Sequence, residues 1–305
     1  MNYSSVGTTG IEASRIILGC MRMAGLSTQE AAKVLATTRE HGINFYDHAD
    51  IYGGGKSEEV FAAAAKEIGL KREEIFLQSK VGIRKGFFDF SKEHILTAVD
   101  GILDRLQTDY LDFLLLHRPD TLVEPEEVAV AFEQLAQSGK VKYFGVSNQN
   151  PMQIELLQKY VPMKLHANQL QFGPAHTPMV DAGFHVNMLS DAAVNRDGSI
   201  LDYSRLHEMT IQTWSPFLVD LNQGLFIKHP DYQKLTETLT RYAKAYNVTL
   251  EAIVMAWILK HPAKMQAIAG SMNPERIAGM VRGTEIELSR QEWYDIYVSA
   301  GNVLP

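Results

Sequence analysis

Short apolar runs alternate with longer amphipathic stretches along almost the whole chain. A few apolar residues between polar stops suit a buried strand, and a 3.6-residue period suits a helix packed on one face. Arg15–Gly19 reads as a strand and Gln29–Glu40 as a helix. Ile43–Tyr46 then precedes a helix at Lys56–Ile68, Ile75–Val81 precedes Ser91–Leu106, and Asp112–His117 precedes Pro125–Gln137. Val141–Val146 precedes Pro151–Lys159, and Leu165–Phe172 is followed by a long connection and a helix at Ser199–Glu208. Ile211–Trp214 precedes Tyr232–Lys260, read as two helices split near Asn247–Thr249, and Met265–Ala269 precedes Pro274–Val281. Strands alternating with helices argue an α/β fold with a parallel sheet. Eight such units in 305 residues predict a closed (β/α)8 TIM barrel, which takes about 250 residues plus extras.

The extras fall at the ends. Asn2–Ala13 is expected to form an N-terminal hairpin turning at Thr8–Gly10 and stopping the barrel floor. Ser289–Ser299 reads as an added C-terminal helix with Ser289 and Glu292 as a capping box. No break in composition divides the chain, so residues 1–305 are expected to form one domain. A doubly wound sheet is the competitor. Its first turn would be Gly19–Gly25, GCMRMAG, which lacks the G-x-G-x-x-G phosphate fingerprint. The segment from Phe172 to Gly198 is long for a barrel loop and follows a strand, which predicts a functional loop at the top face.

The net charge of −7 argues against nucleic acid or an anionic membrane as partner, though not against a phosphorylated cofactor held by a few local cations. The single cysteine, Cys20, cannot form an internal disulfide and fits a reducing compartment. The N-terminus lacks the layout of a signal peptide, and the most apolar stretch, Ala252–Leu259, is too short to span a bilayer. A cytoplasmic protein with a small-molecule substrate is expected, with the oligomeric state open and a monomer compatible.

Four polar residues follow the apolar runs in three consecutive units: Asp47, Tyr52, Lys80 and His117. The C-terminal ends of parallel barrel strands converge on one mouth, so these four are expected to meet there. A neighbouring ammonium lowers the pKa of a phenol. Lys80 could do this for Tyr52, with Asp47 holding the lysine charged and aimed, and Tyr52 would then be a general acid closer to working pH. His117 could place the same substrate oxygen. One strong donor at an oxygen without a nucleophile suits carbonyl reduction, with the hydride supplied by a cofactor.

Other motifs fail. GGGKS at Gly53–Ser57 has Asp50 where a phosphate-binding loop requires glycine. The ten histidines show no paired-ligand spacing, so no metal site is expected. Acidic residues at strand ends are scarce beyond Asp47, which disfavours a glycosidase. A Schiff-base role for Lys80 conflicts with Asp47, because a nucleophilic lysine needs a depressed pKa.

The chain resembles the aldo-keto reductases. The matching segments are GINFYDHADIYG (42–53), LQSKVG (77–82), LDRLQTDYLDFLLLHRPD (103–120), GVSN (145–148), NQLQF (168–172), TWSPF (213–217) and AGSMNPERIAGMV (269–281). The resemblance implies that Asp47, Tyr52, Lys80 and His117 are a catalytic tetrad with Tyr52 as general acid. It implies NADPH (NADP+), more than NADH, bound across the barrel top. Ser147, Asn148 and Gln169 match the positions that hold the nicotinamide carboxamide. Trp214 takes the place of a stacking tyrosine, and Ser215, Pro216, Phe217 and Leu218 match the stretch beside the pyrophosphate. Ser271 and Arg276 match the 2′-phosphate site, with Met21 and Gly270 also in the cofactor set. Gly270 stands where many members carry a lysine, and Gly279 and Met280 where many have a Glu-Asn pair. The function implied is NADP(H)-dependent reduction of aldehydes or ketones to alcohols. The alternative is a non-catalytic NADPH-binding regulatory protein, since the family also resembles potassium-channel β-subunits. The apolar side chains Met21, Met23, Phe87, Phe88, Phe172, Phe184 and Met188, with His176, are expected to line an apolar substrate pocket.

Overall fold

The computed structural model describes residues 1–305. Eight strands form a closed barrel: β1 (Ile16–Gly19), β2 (Phe45–Asp47), β3 (Phe76–Val81), β4 (Leu111–His117), β5 (Val141–Ser147), β6 (Leu165–Gln171), β7 (Thr210–Trp214) and β8 (Gln266–Ala269). Each pairs in parallel with the next, and β8 closes on β1. The helices are α1 (Thr28–Glu40), α2 (Lys56–Glu67), α3 (Lys92–Leu106), α4 (Pro125–Gln137), α5 (Pro151–Gln158), α6 (Pro178–Phe184), α7 (Ile200–Leu206), α8 (Gln233–Ala245), α9 (Leu250–Lys260), α10 (Pro274–Val281) and α11 (Arg290–Ser299). The expected TIM-barrel alternation is present, with the hairpin and the extra helix at the ends.

Helix starts follow local chemistry. Ser27, Asn150 and Ser289 each cap a helix in a two-way box with a Glu or Gln three residues on. Pro125, Pro151, Pro178 and Pro274 occupy first turns, where a missing N–H is harmless.

Successive strand side chains point to opposite faces, and this sorts the barrel into two apolar regions. Outward residues such as Leu18, Tyr46, Leu77, Leu114 and Phe144 join the large core beneath the helices. Inward residues Ile17, Phe45, Phe113, Leu115, Ala167 and Ile268 form a separate small cluster together with Val6. Val6 comes from the N-terminal hairpin, whose strands Tyr3–Ser4 and Ala13–Ser14 pair antiparallel. Gly7 N–H donates to Thr210 Oγ1 at 2.7 Å, and Thr210 begins β7, so the hairpin stops the floor as expected. Gly7 has φ 54°, and a Cβ there would meet His166 at 2.9 Å, so glycine is required at this close approach.

Helix α9 is apolar on every side because it is covered on every side, with Ala252–Leu259 all buried. Trp257 stacks on Trp293 with centroids 4.7 Å apart. Each indole N–H donates to the other residue's carbonyl at 3.0 Å, which docks α11 on α9.

The segment after β6 departs from expectation. Phe172 is fully buried and stacks on Trp257, so it belongs to the core. Phe184 packs on Tyr294 and Tyr297, and Tyr297 Oη donates to Asp181 Oδ1 at 2.7 Å. Met188 is 44% exposed. The helical pattern within this stretch follows the C-terminal helix, so Phe172 and Phe184 are occupied by packing contacts and do not line the mouth. Both ends of the segment reach barrel-top loops: a ring nitrogen of His176 lies 3.0 Å from the Val219 carbonyl oxygen, and Gly198 lies against Asn150 and Pro151.

Candidate active site

Lys80 and His117 lie inside strands as expected, and Asp47 lies inside one rather than just after it. Asp47 ends β2, His117 ends β4, and Lys80 is next to last in β3. All are inward positions in the top layer of the alternation. Tyr52 sits in the turn between β2 and α2. Gly53, Gly54 and Gly55 follow it with φ of 60°, 66° and 93°. A Cβ on Gly53 would approach Ala24 Cβ to 2.4 Å, so the glycines let the chain fold tightly and return Tyr52 over the barrel.

The structure brings the four together. Lys80, fully buried, donates to Asp47 Oδ2 at 2.8 Å, to the His48 carbonyl at 2.7 Å and to Tyr52 Oη at 3.1 Å. Three acceptors satisfy the three ammonium protons. The Tyr52 and His117 rings meet edge to face at 6.2 Å. Burial pulls the Lys80 pKa down, but Asp47 and Tyr52 outweigh it and leave it above the ordinary lysine value. Burial pushes the Tyr52 phenol up, and the pull of Lys80 does not overcome it. This corrects the expectation of a lowered tyrosine pKa: desolvation of the phenolate outweighs the ammonium, which is itself shared with Asp47. Burial, then Lys80 and Arg118, lower the His117 pKa to about 2. His117 is therefore neutral at working pH, and its buried Nδ1 has no protein partner.

Beneath the four lies a polar layer that reasoning from the sequence missed. Gln78 Nε2 donates to Asp47 Oδ1 at 2.6 Å and to Gln212 Oε1 at 2.8 Å, and Gln212 Nε2 donates to Gln266 Oε1 at 3.1 Å. The signal was glutamine at inward positions of apolar strands, as in FLQSKV and TIQTW.

The predicted nicotinamide residues also converge. Gln169 Nε2 donates to Asp47 Oδ1 at 3.0 Å, Ser147 Oγ to the Gln169 carbonyl at 3.2 Å, Asn148 Nδ2 to Ser147 Oγ at 2.7 Å, and Trp214 Nε1 to Asn148 Oδ1 at 3.1 Å. Asn148 and Ser215 hold left-handed backbone, φ 57° and 48°. These amide and hydroxyl groups supply both donors and acceptors, which fits a primary carboxamide. Phe217 packs on Phe226 and Pro216 is buried, while the Leu218 carbonyl accepts from Gln171 at 3.4 Å.

At α10, Asn273 caps the helix by accepting from Arg276 N–H at 3.0 Å, and Ser271 Oγ accepts from Asn273 N–H at 3.2 Å. Arg276 is exposed in this first turn. Arg22, in the 3-10 turn Cys20–Gly25 after β1, donates to the Gly270 carbonyl at 2.9 Å. A Cβ at Gly270 would face that guanidinium at 3.5 Å. A cation thus reaches the Gly270 turn from the loop after the neighbouring strand β1, a placement no local motif announces. Two cations and a helix N-terminus form a donor set that fits a phosphate. Met21 is 52% exposed in the same 3-10 turn as Arg22.

The model of the aldo/keto reductase family matches residues 15–297. The oxidoreductase YdhF of Escherichia coli K12 is 33% identical, covering 97% of this chain and 96% of its own. A 6-dehydroglucose reductase of Agrobacterium fabrum is 32% identical, covering 95% of each. A putative voltage-gated potassium channel subunit beta of Schizosaccharomyces pombe is 27% identical, covering 93% of this chain and 88% of its own. The solved structure of the thermostable aldo-keto reductase Tm1743, in complex with the inhibitor epalrestat, superposes with TM-score 0.79 at 26% identity, covering 98% of this chain and all of that one. The chain belongs to the aldo/keto reductase family, and its relatives include oxidoreductases. No helix is long and apolar enough to cross a membrane.

Proposed function

We propose that the protein is an NADP(H)-dependent reductase of small aldehydes or ketones, with Tyr52 as general acid. The observation that carries this reading is the Lys80 ammonium, which bridges the Asp47 carboxylate and the Tyr52 hydroxyl. Ser147, Asn148 and Gln169 would hold the nicotinamide amide and Trp214 would stack on the ring. Ser215, Pro216, Phe217 and Leu218 would pass the pyrophosphate, with Met21 and Gly270 beside the cofactor. Ser271, Arg276 and Arg22 would hold the 2′-phosphate, which favours NADPH over NADH. When bound, the reduced nicotinamide supplies a hydride to the carbonyl carbon.

The chain's own groups handle the proton. Tyr52 donates its hydroxyl proton to the substrate oxygen, and Lys80 at 3.1 Å stabilises the phenolate that remains. Asp47 keeps Lys80 charged and aimed. The raised Tyr52 pKa keeps the phenol protonated at rest, ready to donate. Neutral His117 donates a hydrogen bond to the same oxygen and carries no charge of its own.

Tyr52→Phe should leave the NADPH dissociation constant nearly unchanged while lowering kcat at least ~10²-fold, the scale of lost general acid catalysis. Retention of most of the activity would assign the proton to another group. Tight NADPH binding by the unaltered protein, without oxidation across a panel of carbonyls, would instead favour a regulatory binding protein.

A further inference from the structure

Four arginines are neither buried nor fully exposed: Arg15, Arg72, Arg105 and Arg118. Three are tied into the protein. Arg15 donates to the carbonyls of Leu259 and Met265, Arg72 pairs with Asp112, and Arg105 pairs with the buried Glu58. Arg118 makes no hydrogen bond and has no carboxylate within reach, although a guanidinium offers five N–H donors. The nearby Asp120 is taken by the backbone N–H groups of Phe90 and Leu122.

Its placement is specific. Arg118 directly follows His117, and its φ of 72° is a left-handed conformation that side-chained residues adopt at a cost. Such strain clusters at ligand-binding positions. The guanidinium carbon lies 5.4 Å from the centroid of the Trp214 ring. Around it, Lys80 is neutralised by Asp47 and His117 is uncharged. Beside the Tyr52–His117 pair, Arg118 is therefore a cation with no counter-charge and an unused planar fork of donors. The contact with the Trp214 ring takes up none of the guanidinium N–H groups in a hydrogen bond.

We propose that Arg118 is a substrate-binding residue, and that the substrate is a small carbonyl compound carrying paired oxygen acceptors, a carboxylate or vicinal hydroxyls, that engage the guanidinium edge. This rests on the carbonyl-reductase reading and names the substrate class of that same mouth. It replaces the expectation of a purely apolar substrate. Phe87 and Phe88, 55% and 44% exposed in the hairpin after β3, remain available to the carbon skeleton.

The test compares matched aldehydes with NADPH. Butanal and succinic semialdehyde share a four-carbon chain and differ by a carboxylate, and propanal and glyceraldehyde differ by vicinal hydroxyls. Arg118→Gln should lower kcat/KM about 10- to 100-fold for the oxygen-bearing member of one pair, mainly through KM, and about twofold or less for both plain aldehydes. The pair that responds tells carboxylate from diol. Arg118→Lys, which keeps the charge and loses the fork, should recover part of a carboxylate effect and none of a diol effect. NADPH affinity, titrated directly by nicotinamide fluorescence, should not move. Equal losses on all four aldehydes, or a matching loss of NADPH affinity, would overturn the assignment. If the unaltered protein reduces none of them, the reductase reading falls. Arg118 is then decided by melting temperature: succinate or glycerate should raise it in the unaltered protein and not in Arg118→Gln. No shift with either additive would sink the proposal.

Discussion

The two ends of the barrel interior use the same inward strand positions for opposite purposes. At the floor, Ile17, Phe45, Phe113, Leu115, Ala167 and Ile268 close around Val6 with nothing polar among them. Toward the strand C-terminal ends, Asp47, Gln78, Lys80, His117, Gln169 and Gln212 fill the interior with polar groups. The floor gains stability from removing apolar area from water. The mouth holds a buried ion pair, which is weak support for stability because desolvation offsets attraction, and it holds a polar atom, His117 Nδ1, that no protein group satisfies. The barrel thus concentrates apolar burial at one end and polar, hydrogen-bonding groups at the other.

That division can be broken from either end. Phe113→Ala should destabilise by about 3–5 kcal/mol, the range for truncating a buried phenylalanine, while the turnover of the molecules that stay folded changes little. Denaturant unfolding and kcat per folded molecule check both halves. Tyr52→Phe should show the reverse, with turnover slowed at least ~10²-fold and the unfolding midpoint nearly unmoved. A large drop in midpoint would show that the mouth also carries stability.

Arg276→Ala should weaken NADPH by about tenfold or more and NADH little, because a charged hydrogen-bonding partner of the 2′-phosphate contributes on the order of 1.5–3 kcal/mol. Equal losses for both cofactors would remove Arg276 from the phosphate set. The smallest effect is in pH. His48, buried with neither ring nitrogen hydrogen-bonded, has its pKa lowered to about 3, chiefly by burial and then by Lys80. A depressed histidine pKa means that the unfolded chain binds the extra proton first. Stability is then fully present above pH ~6.5 and declines as pH falls from there toward 3. His117 acts in the same direction over pH 6.5 to about 2. Urea midpoints measured from pH 7 to 5 should fall, and His48→Gln should flatten the slope. An unchanged slope would mean that other groups carry the acid sensitivity.

Much of this contrast was legible in the sequence. The helix boundaries are close to expectation because Ser27, Asn150 and Ser289 cap by local chemistry that needs no tertiary knowledge. The strand ends bearing Lys80 and His117 are legible as such, whereas Asp47 falls one residue past its expected strand, since a polar residue inside a barrel looks like the end of an apolar run. Phe172 and Phe184 do not line the pocket as expected, because they pair with Trp257 and Tyr297, far along the chain. The tyrosine pKa turned on depth of burial, which residue types alone do not convey. Arg118 and Arg22 were not singled out for the same reason: a missing partner and a bond to Gly270 exist only in three dimensions.

The N-terminal hairpin has a consequence for traffic. With Val6 and its neighbours filling the base, the polar pocket around Asp47, Lys80 and Tyr52 is closed from below. Anything that meets the Tyr52 hydroxyl has to come over the loops at the strand C-terminal ends, and whatever leaves has to go back the same way. A short hairpin near the start of the chain thus makes the far end of the barrel the only approach.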